Sequence, residues 1–359
     1  MKKIRVKLGQ SGYNIHLGAG VLAETGQILK ELGFNDKAVI ITDPVIRDLY
    51  GNSLKQSLSG RGFKTAILEV PAGEASKSLE SAARLYEELT AFGSERMTPI
   101  IALGGGVIGD LAGFVAATYM RGTPLVQIPT TLLAQVDSSI GGKVAVNHGT
   151  LKNKIGVFYQ PRVVITDSDT LETLPHTEIT SGLGEVVKYA VIKDAGFFTE
   201  LESNIEKILS LDKKILEDTV ATCVQIKASI VEKDEKDLGL RNILNFGHTV
   251  GHGVETVSVY GIAHGQAVSI GMMAAAGIAH EMGIFQFKQL IRMRKLLKSA
   301  GLLTAMPHVD IKKVIEAMKH DKKMQGGKIR FVLPRAIGEV FLSDEVSLAS
   351  VEKVLAGQK

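Results

Sequence analysis

Along its first half the chain alternates short apolar runs with helical stretches. Aliphatic and β-branched residues cluster at 38–42, 65–70, 100–103, 125–128 and 163–166, runs too short for helices, and they predict strands. Strands separated by helical segments predict a parallel sheet, because parallel neighbours need a long crossover. The opening Met-Lys-Lys-Ile-Arg-Val-Lys-Leu alternates basic and apolar residues, as a strand with one buried face does. After Leu174-Pro175 the period becomes helical, at 179–193, 211–232 and 268–282, and a strand signal returns only at 329–333. The pattern predicts an α/β domain over 1–174 and a mainly α-helical domain over 175–359. No repeat or low-complexity linker separates them, so we expect a cleft between them to hold the active site.

Composition narrows the class. With 359 residues and 45% hydrophobic content the chain can bury large cores, and 38 glycines with only 5% aromatic residues suit many tight strand-to-helix turns. The single cysteine, Cys223, excludes an intrachain disulfide and a cysteine-built zinc site, and fits a reducing compartment. Forty-two basic against 38 acidic residues leave a net charge of +4, too balanced for a nucleic-acid-binding surface. No apolar segment of secretory type follows the start, and the stretches around 99–120 and 267–279 are interrupted or stop short of the roughly 18 residues that span a bilayer. We expect a cytoplasmic protein with neither nucleic acid nor membrane as partner.

Gly104-Gly-Gly-Val-Ile-Gly-Asp110 follows the strand at 100–103 and leads into a helix. This is a Gly-x-Gly-x-x-Gly pattern in a strand–turn–helix setting, where backbone N–H groups and a helix N-terminus face a pyrophosphate. The acid that normally follows about twenty residues later is missing. A candidate ribose acid is Asp43, at the tip of the 38–42 strand, although Asp before Pro44 and a helical run is equally an N-cap. Thr130 and Thr131, beyond the 125–128 strand, carry the same two readings.

His248 and His252 stand one helical turn apart, with Glu185 upstream and His264 downstream. Imidazoles on one helix face together with a carboxylate are the ligand chemistry of a catalytic divalent metal. A lone His-x-x-x-His is common without metal; here Gly247, Gly251 and Gly253 leave room beside the rings. Most lysines are solvated surface groups. Yet Lys188 follows Glu185 by three residues and Asn245 precedes His248 by three. Asp137, Lys143, Lys152, Asn153, Lys227 and Arg241 lie in segments too polar or Gly-dense for ordinary elements. Cations beside a metal suit a substrate bearing phosphate and carboxylate groups.

The segments Gly-Gly-Gly-Val-Ile-Gly-Asp-Leu-Ala-Gly-Phe, Arg121-Gly, Pro-Thr-Thr-Leu-Leu-Ala-Gln-Val-Asp-Ser-Ser-Ile-Gly-Gly-Lys, Phe-Tyr-Gln-Pro, Gly-Leu-Gly-Glu-Val-Val-Lys and Asn-Phe-Gly-His-Thr-Val-Gly-His together resemble the 3-dehydroquinate synthase family of the shikimate pathway. The resemblance covers residues 35–340 and keeps the motif order. It implies an NAD-binding α/β domain, a helical zinc domain in which cobalt can replace zinc, a homodimer, and conversion of 3-deoxy-D-arabino-heptulosonate 7-phosphate to 3-dehydroquinate and phosphate.

By that resemblance Glu185, His248 and His264 match the zinc ligands, and His252 becomes a neighbour of the substrate phosphate. Asp43, Gly104, Gly105, Gly106, Asp110, Thr130 and Thr131 match NAD contacts, with Glu74 and Lys77 on a loop that approaches the cofactor. Asp137, Lys143, Asn153, Lys188, Lys227, Arg241, Asn245 and one of Lys322 or Lys323 match substrate contacts. Lys143 and Lys152 lie near both substrate and cofactor. Lys143, Lys188, His252, Asn153 and Asn245 form the implied catalytic set, and Arg121 the arginine offered to phosphate across the dimer. Four positions depart from the family pattern: Val144 and Ala145 replace Thr-Gly, Leu151 replaces Gly, and Gln266 replaces Glu. The first three bear on the 144–152 loop, and Gln266 on the polar group that orients His264. Rival readings are cyclases making deoxy-inosose or valiolone, a metal-dependent NAD polyol dehydrogenase, and a non-catalytic dinucleotide-binding protein. The set of Lys227, Arg241, Asn245, Lys322 and Lys323 favours dehydroquinate synthesis.

Overall fold

A computed structural model of the protein describes residues 1–149, 151–258, 261–307, 309–320, 324–325 and 328–357. The chain divides into two compact units, Met1–Leu174 with Lys227–Lys236, and Pro175–Ile226 with Asp237–Lys359. It thus passes between units three times, rather than once at 174/175.

In chain order the first unit contains β1 (Lys2–Val6), β2 (Tyr13–Gly18), α1 (Thr25–Glu31), β3 (Lys37–Thr42), the one-turn α2 (Pro44–Ile46), α3 (Asn52–Ser59), β4 (Lys64–Glu69), α4 (Leu79–Phe92), β5 (Ile100–Gly104), α5 (Gly106–Thr118), β6 (Leu125–Pro129), β7 (Lys143–His148), β8 (Leu151–Phe158) and β9 (Val163–Asp167). Seven strands form one sheet in the order β1-β2-β9-β6-β5-β3-β4. All pairings are parallel except β1 with β2. Every residue of β5, β6 and β9 is buried, which is why these strands read as unbroken apolar runs.

The chain runs from β3 outward to β4, then returns to β5 on the opposite side of β3. Strand order therefore reverses between β3 and β5, and the crevice beyond their carboxyl ends is where open α/β sheets bind ligands. Asp43 and Gly105 follow directly on these two strands.

Of the polar positions expected to lie outside regular elements, Lys143, Lys152 and Asn153 fall instead in the antiparallel hairpin β7–β8. Val144 and Val146 on β7 bury against the core that includes Leu111 and Val115 of α5. A Cβ on Gly113 of α5 would stand 2.3 Å from Val144 Cγ1, so glycine there lets the hairpin seat. The departure at Val144 thus serves packing.

The second unit contains α6 (His176–Lys193), α7 (Ala195–Leu209), most of α8 (Lys213–Val231), α9 (His248–Val257), α10 (His264–Glu281), α11 (Phe287–Ser299), α12 (Ile311–His320), the short pair β10 (Met324–Gln325) and β11 (Lys328–Ile329), the hairpin β12 (Phe331–Ala336) and β13 (Glu339–Ser343), and α13 (Leu348–Gly357). Helix α10 packs against both α6 and α9. Its small residues let backbones touch: a Cβ on Gly265 would fall 1.8 Å from Ser181 O of α6, and one on Gly271 1.8 Å from Gly247 O at the start of α9. This three-helix junction carries Glu185, His248 and His264.

Candidate functional sites

The second unit holds a compact set of metal-ligating atoms. One donor each from Glu185, His248 and His264 lies within 4.8 Å of the others. Glu185 Oε1 stands 3.4 Å from His248 Nε2 and 3.2 Å from His264 Nε2. His248 Nδ1 lies 3.1 Å from Phe246 O, a carbonyl that can only accept, so Nδ1 carries the proton and Nε2 keeps its lone pair. His264 Nδ1 lies 3.4 Å from Glu255 Oε1, so its Nε2 likewise faces Glu185. Two imidazoles and a carboxylate, each held from behind, are the donor set of a catalytic zinc with open coordination positions. The residues fit the ion.

The charges agree. Burial holds the His248 imidazole well below its ordinary range, outweighing the pull of Glu185. Burial acts the same way on His264, but hydrogen bonds to Glu185 and Glu255 overcome it and raise the ring to about 10. His264 thus brings positive charge to two carboxylates, the role a divalent cation would take over. Lys188, 1% exposed, is ion-paired with Glu185 from the next turn of α6. The His252 ring centroid lies 5.3 Å from that of His248 and 6.5 Å from that of His264, beside the three donors.

The first unit holds a second polar cluster. Lys77, 5% exposed, donates through Nζ to Asp110 Oδ2 at 2.5 Å and to Asn153 Oδ1. Burial raises the Asp110 carboxyl, and the Lys77 charge pulls against that shift. Lys227 Nζ donates to the backbone and side-chain oxygens of Asp137, both at 2.7 Å. Asp43 caps α2, accepting from Val45 N–H at 3.0 Å and Ile46 N–H at 3.1 Å, which is the cap role its Asp-Pro context allowed. Thr131 Oγ1 accepts from Ala134 N–H at 3.2 Å, while the buried Thr130 follows β6. Gly105 caps α5 and Gly106 begins it; a Cβ on either would press on Thr131 or Ser138, at 3.0 and 3.1 Å.

Arg241 is buried in the 3-10 turn Leu240–Asn245 that ends at Asn245. Lys143, Lys152 and Arg121 are exposed, Arg121 on a turn where it and Met120 both have positive φ. Lys322 and Lys323 lie outside the described residues.

One expectation is corrected. Gln266 does not orient His264: its amide donates to Gly301 O at 3.1 Å and accepts from Leu303 N–H at 2.6 Å, clamping the loop after α11. The group behind His264 is Glu255. It was open to discovery from sequence, since it lies seven residues after His248 and so on the same face of α9. Asn147, which bridges the segment of Glu74 and Lys77 to Asn153, carried no such signal, because its partners lie far along the chain.

Comparison with known proteins agrees with this geometry. Residues 67–181 match the family model described as 3-dehydroquinate synthase N-terminal, and residues 182–324 the one described as 3-dehydroquinate synthase C-terminal. A 3-dehydroquinate synthase from Desulforamulus reducens is 49% identical over 99% of this chain and 100% of that protein. Among solved structures, 2-epi-5-epi-valiolone synthase from Streptomyces hygroscopicus, with NAD+ and Zn2+ bound, superposes with a TM-score of 0.89 at 28% identity, covering 96% of each chain. A 2-deoxy-scyllo-inosose synthase complexed with carbaglucose-6-phosphate, NAD+ and Co2+ gives a TM-score of 0.91 at 27% identity, covering 100% of each.

Proposed function

The chain belongs to the 3-dehydroquinate synthase family, and from that premise we infer that it converts 3-deoxy-D-arabino-heptulosonate 7-phosphate to 3-dehydroquinate and phosphate. The observation that carries this to its own residues is the cluster of Glu185, His248 and His264 with the buried Lys188 paired to Glu185. A metal-ligating set beside a buried cation suits a substrate rich in hydroxyls and anionic groups. NAD and zinc are the cofactors in this reading, with cobalt able to replace zinc.

NAD, when bound, would supply a reversible hydride acceptor for carbon 5, so that no net oxidation results. Zinc, when bound, acts as a Lewis acid that lowers the pKa of the carbon 5 hydroxyl. Glu185, His248 and His264 would hold the ion, three protein ligands leaving positions for vicinal hydroxyls. Lys188 or Lys143 would orient the carbon 5 oxygen and balance the charge left when its proton departs. Oxidation at carbon 5 acidifies the carbon 6 proton, which the substrate's own phosphate takes as it leaves carbon 7 by β-elimination. His252, Arg121, Lys152, Asn153 and one of Lys322 or Lys323 hold that phosphate until it leaves. Asp137, Lys227, Arg241 and Asn245 grip the rest of the substrate, which opens and closes as a carbocycle by intramolecular aldol addition.

On the cofactor side, Asp43 would hold the ribose and the N–H groups of Gly104, Gly105 and Gly106 the pyrophosphate, with Thr130, Thr131, Asp110, Glu74 and Lys77 as the remaining contacts. The strand-order reversal between β3 and β5 supports this assignment. The same reading makes the enzyme a cytoplasmic homodimer. Exposed apolar residues near the Arg121 turn and on β8, namely Met120, Leu151, Val157 and Phe158, support the dimer. Light scattering behind size exclusion reads its mass.

The deciding assay measures phosphate released from the heptulosonate phosphate with NAD and zinc present, and identifies the product. Phosphate and 3-dehydroquinate without net NADH are expected. Stoichiometric NADH without phosphate would identify a polyol dehydrogenase instead, and no phosphate would overturn the assignment.

A further inference from the structure

Asn147, near the end of β7, makes three hydrogen bonds. Its backbone N–H donates to Lys77 O at 2.8 Å and its side-chain amide donates to Glu74 Oε1 at 2.8 Å. Its Oδ1 accepts from the backbone N–H of Asn153 at 2.9 Å. Asn153 has φ +52°, a left-handed conformation uncommon for residues with a side chain, and it sits there held by this bond. Its own Oδ1 in turn accepts from Lys77 Nζ. The bonds close a ring from Asn147 to Lys77, to Asn153 and back, with Glu74 tied in through the Asn147 amide.

An asparagine beside a hairpin turn often bonds only its own neighbours. Here the bond to Glu74 reaches 73 residues back along the chain, and the bond to Lys77 joins the same distant segment. That segment approaches NAD in the reading above, and Asn153 approaches the substrate. Asn147 is therefore placed to set both at once.

We propose that Asn147 is a positioning residue that fixes Asn153 and the segment of Glu74 and Lys77 in one arrangement, so that cofactor and substrate groups are held together by one side chain. The proposal rests on the site reading given above for Glu74, Lys77 and Asn153.

The experiment measures NAD binding by calorimetry, and KM and kcat for the heptulosonate phosphate, on zinc-loaded wild-type enzyme and four variants. Asn147→Ala loses both side-chain bonds and should raise both the NAD Kd and the KM about tenfold, the equivalent of one hydrogen bond each. Asn147→Asp keeps an acceptor for Asn153, so its KM stays near wild type, but sets a carboxylate against Glu74 and weakens NAD binding. Glu74→Gln provides the reference for the combined Asn147→Asp, Glu74→Gln variant, in which donor and acceptor are exchanged and the bond can form again. NAD affinity in the combined variant should return to that of Glu74→Gln. Asn147→Ala within twofold of wild type in both constants, or a combined variant no better than Asn147→Asp, overturns the proposal. If Asn147→Ala does not fold, the exchange pair alone decides. Wild-type enzyme that neither binds NAD nor releases phosphate would overturn the site reading itself, a result visible before any variant is made.

Discussion

Glu255 Oε1 stands 3.4 Å behind His264 Nδ1, on the same helix that carries His248. Helix α9 thus supplies one donor of the cluster and the carboxylate that orients another. Carboxylates placed behind a metal-bound imidazole fix its tautomer and raise its basicity, and their removal typically costs about 10–100-fold in metal affinity. Glu255→Ala should weaken zinc binding by that order, read by competition with a chromogenic chelator. Glu255→Gln, which keeps an acceptor but no charge, should fall between. Wild-type affinity in both variants would mean that the contact does not orient the ring.

His264 and His252 should separate cleanly. His264→Ala removes one of three clustered donors and should abolish stoichiometric zinc and turnover together. His252→Ala should keep its zinc and lose most turnover, because the ring lies beside the cluster and is assigned to phosphate. Elemental analysis of both proteins tests this. Zinc loss in His252→Ala matching that of a His248→Ala control would return the helical pair to the ligand set.

What could be read from sequence follows the range of the forces involved. Strands β5, β6 and β9 are buried on both faces, so their apolar runs were unmistakable, whereas β8 is exposed along almost its whole length and carries no alternation. Local spacing pointed to His248 and His252. The contact between Glu185 and His264 spans 79 residues: residue type makes both candidates, but only the family motifs set them apart from His252 as ligands. Gln266 stands where the family pattern has Glu, two residues after His264, yet the three-helix junction turns it toward Gly301 and brings Glu255 in from another helix. Asn147 was invisible for the same reason, since its meaning lies in partners folded onto it.

The junction itself can be tested at Gly265. A Cβ there would sit 1.8 Å from Ser181 O, a backbone atom that can retreat only if α6 and α10 move apart. Overpacking of this kind costs about 1–3 kcal/mol, and more where backbone must shift. Gly265→Ala should lower the melting temperature and also loosen zinc, because the helices that separate carry Glu185 and His264. Gly283→Ala is a poor control, since Gly283 has a positive φ of its own; Gly357, where a Cβ would meet no atom of the described residues within 4 Å, is the better one. A Gly265→Ala protein with unchanged melting and zinc affinity would show that the junction tolerates separation.

Stability should also carry a histidine signature outside the candidate sites. His16 on β2 is 6% exposed, and burial lowers its pKa, helped by Lys3 directly opposite in the β1–β2 register and opposed by Glu31. The folded pKa lies below the ordinary 6.5, so as pH falls the unfolded chain takes up the proton first. The stabilisation is therefore complete above about pH 6.5 and is lost as pH drops through the folded value. Replacement by a residue that does not titrate should remove this part of the acid sensitivity. His16 Nδ1 is buried without a hydrogen-bond partner among the described residues, so His16→Leu breaks no bond at that atom. Urea midpoints at pH 7.5 and 5.5 should differ less in His16→Leu than in wild type. An equal drop in both proteins would place the acid sensitivity elsewhere.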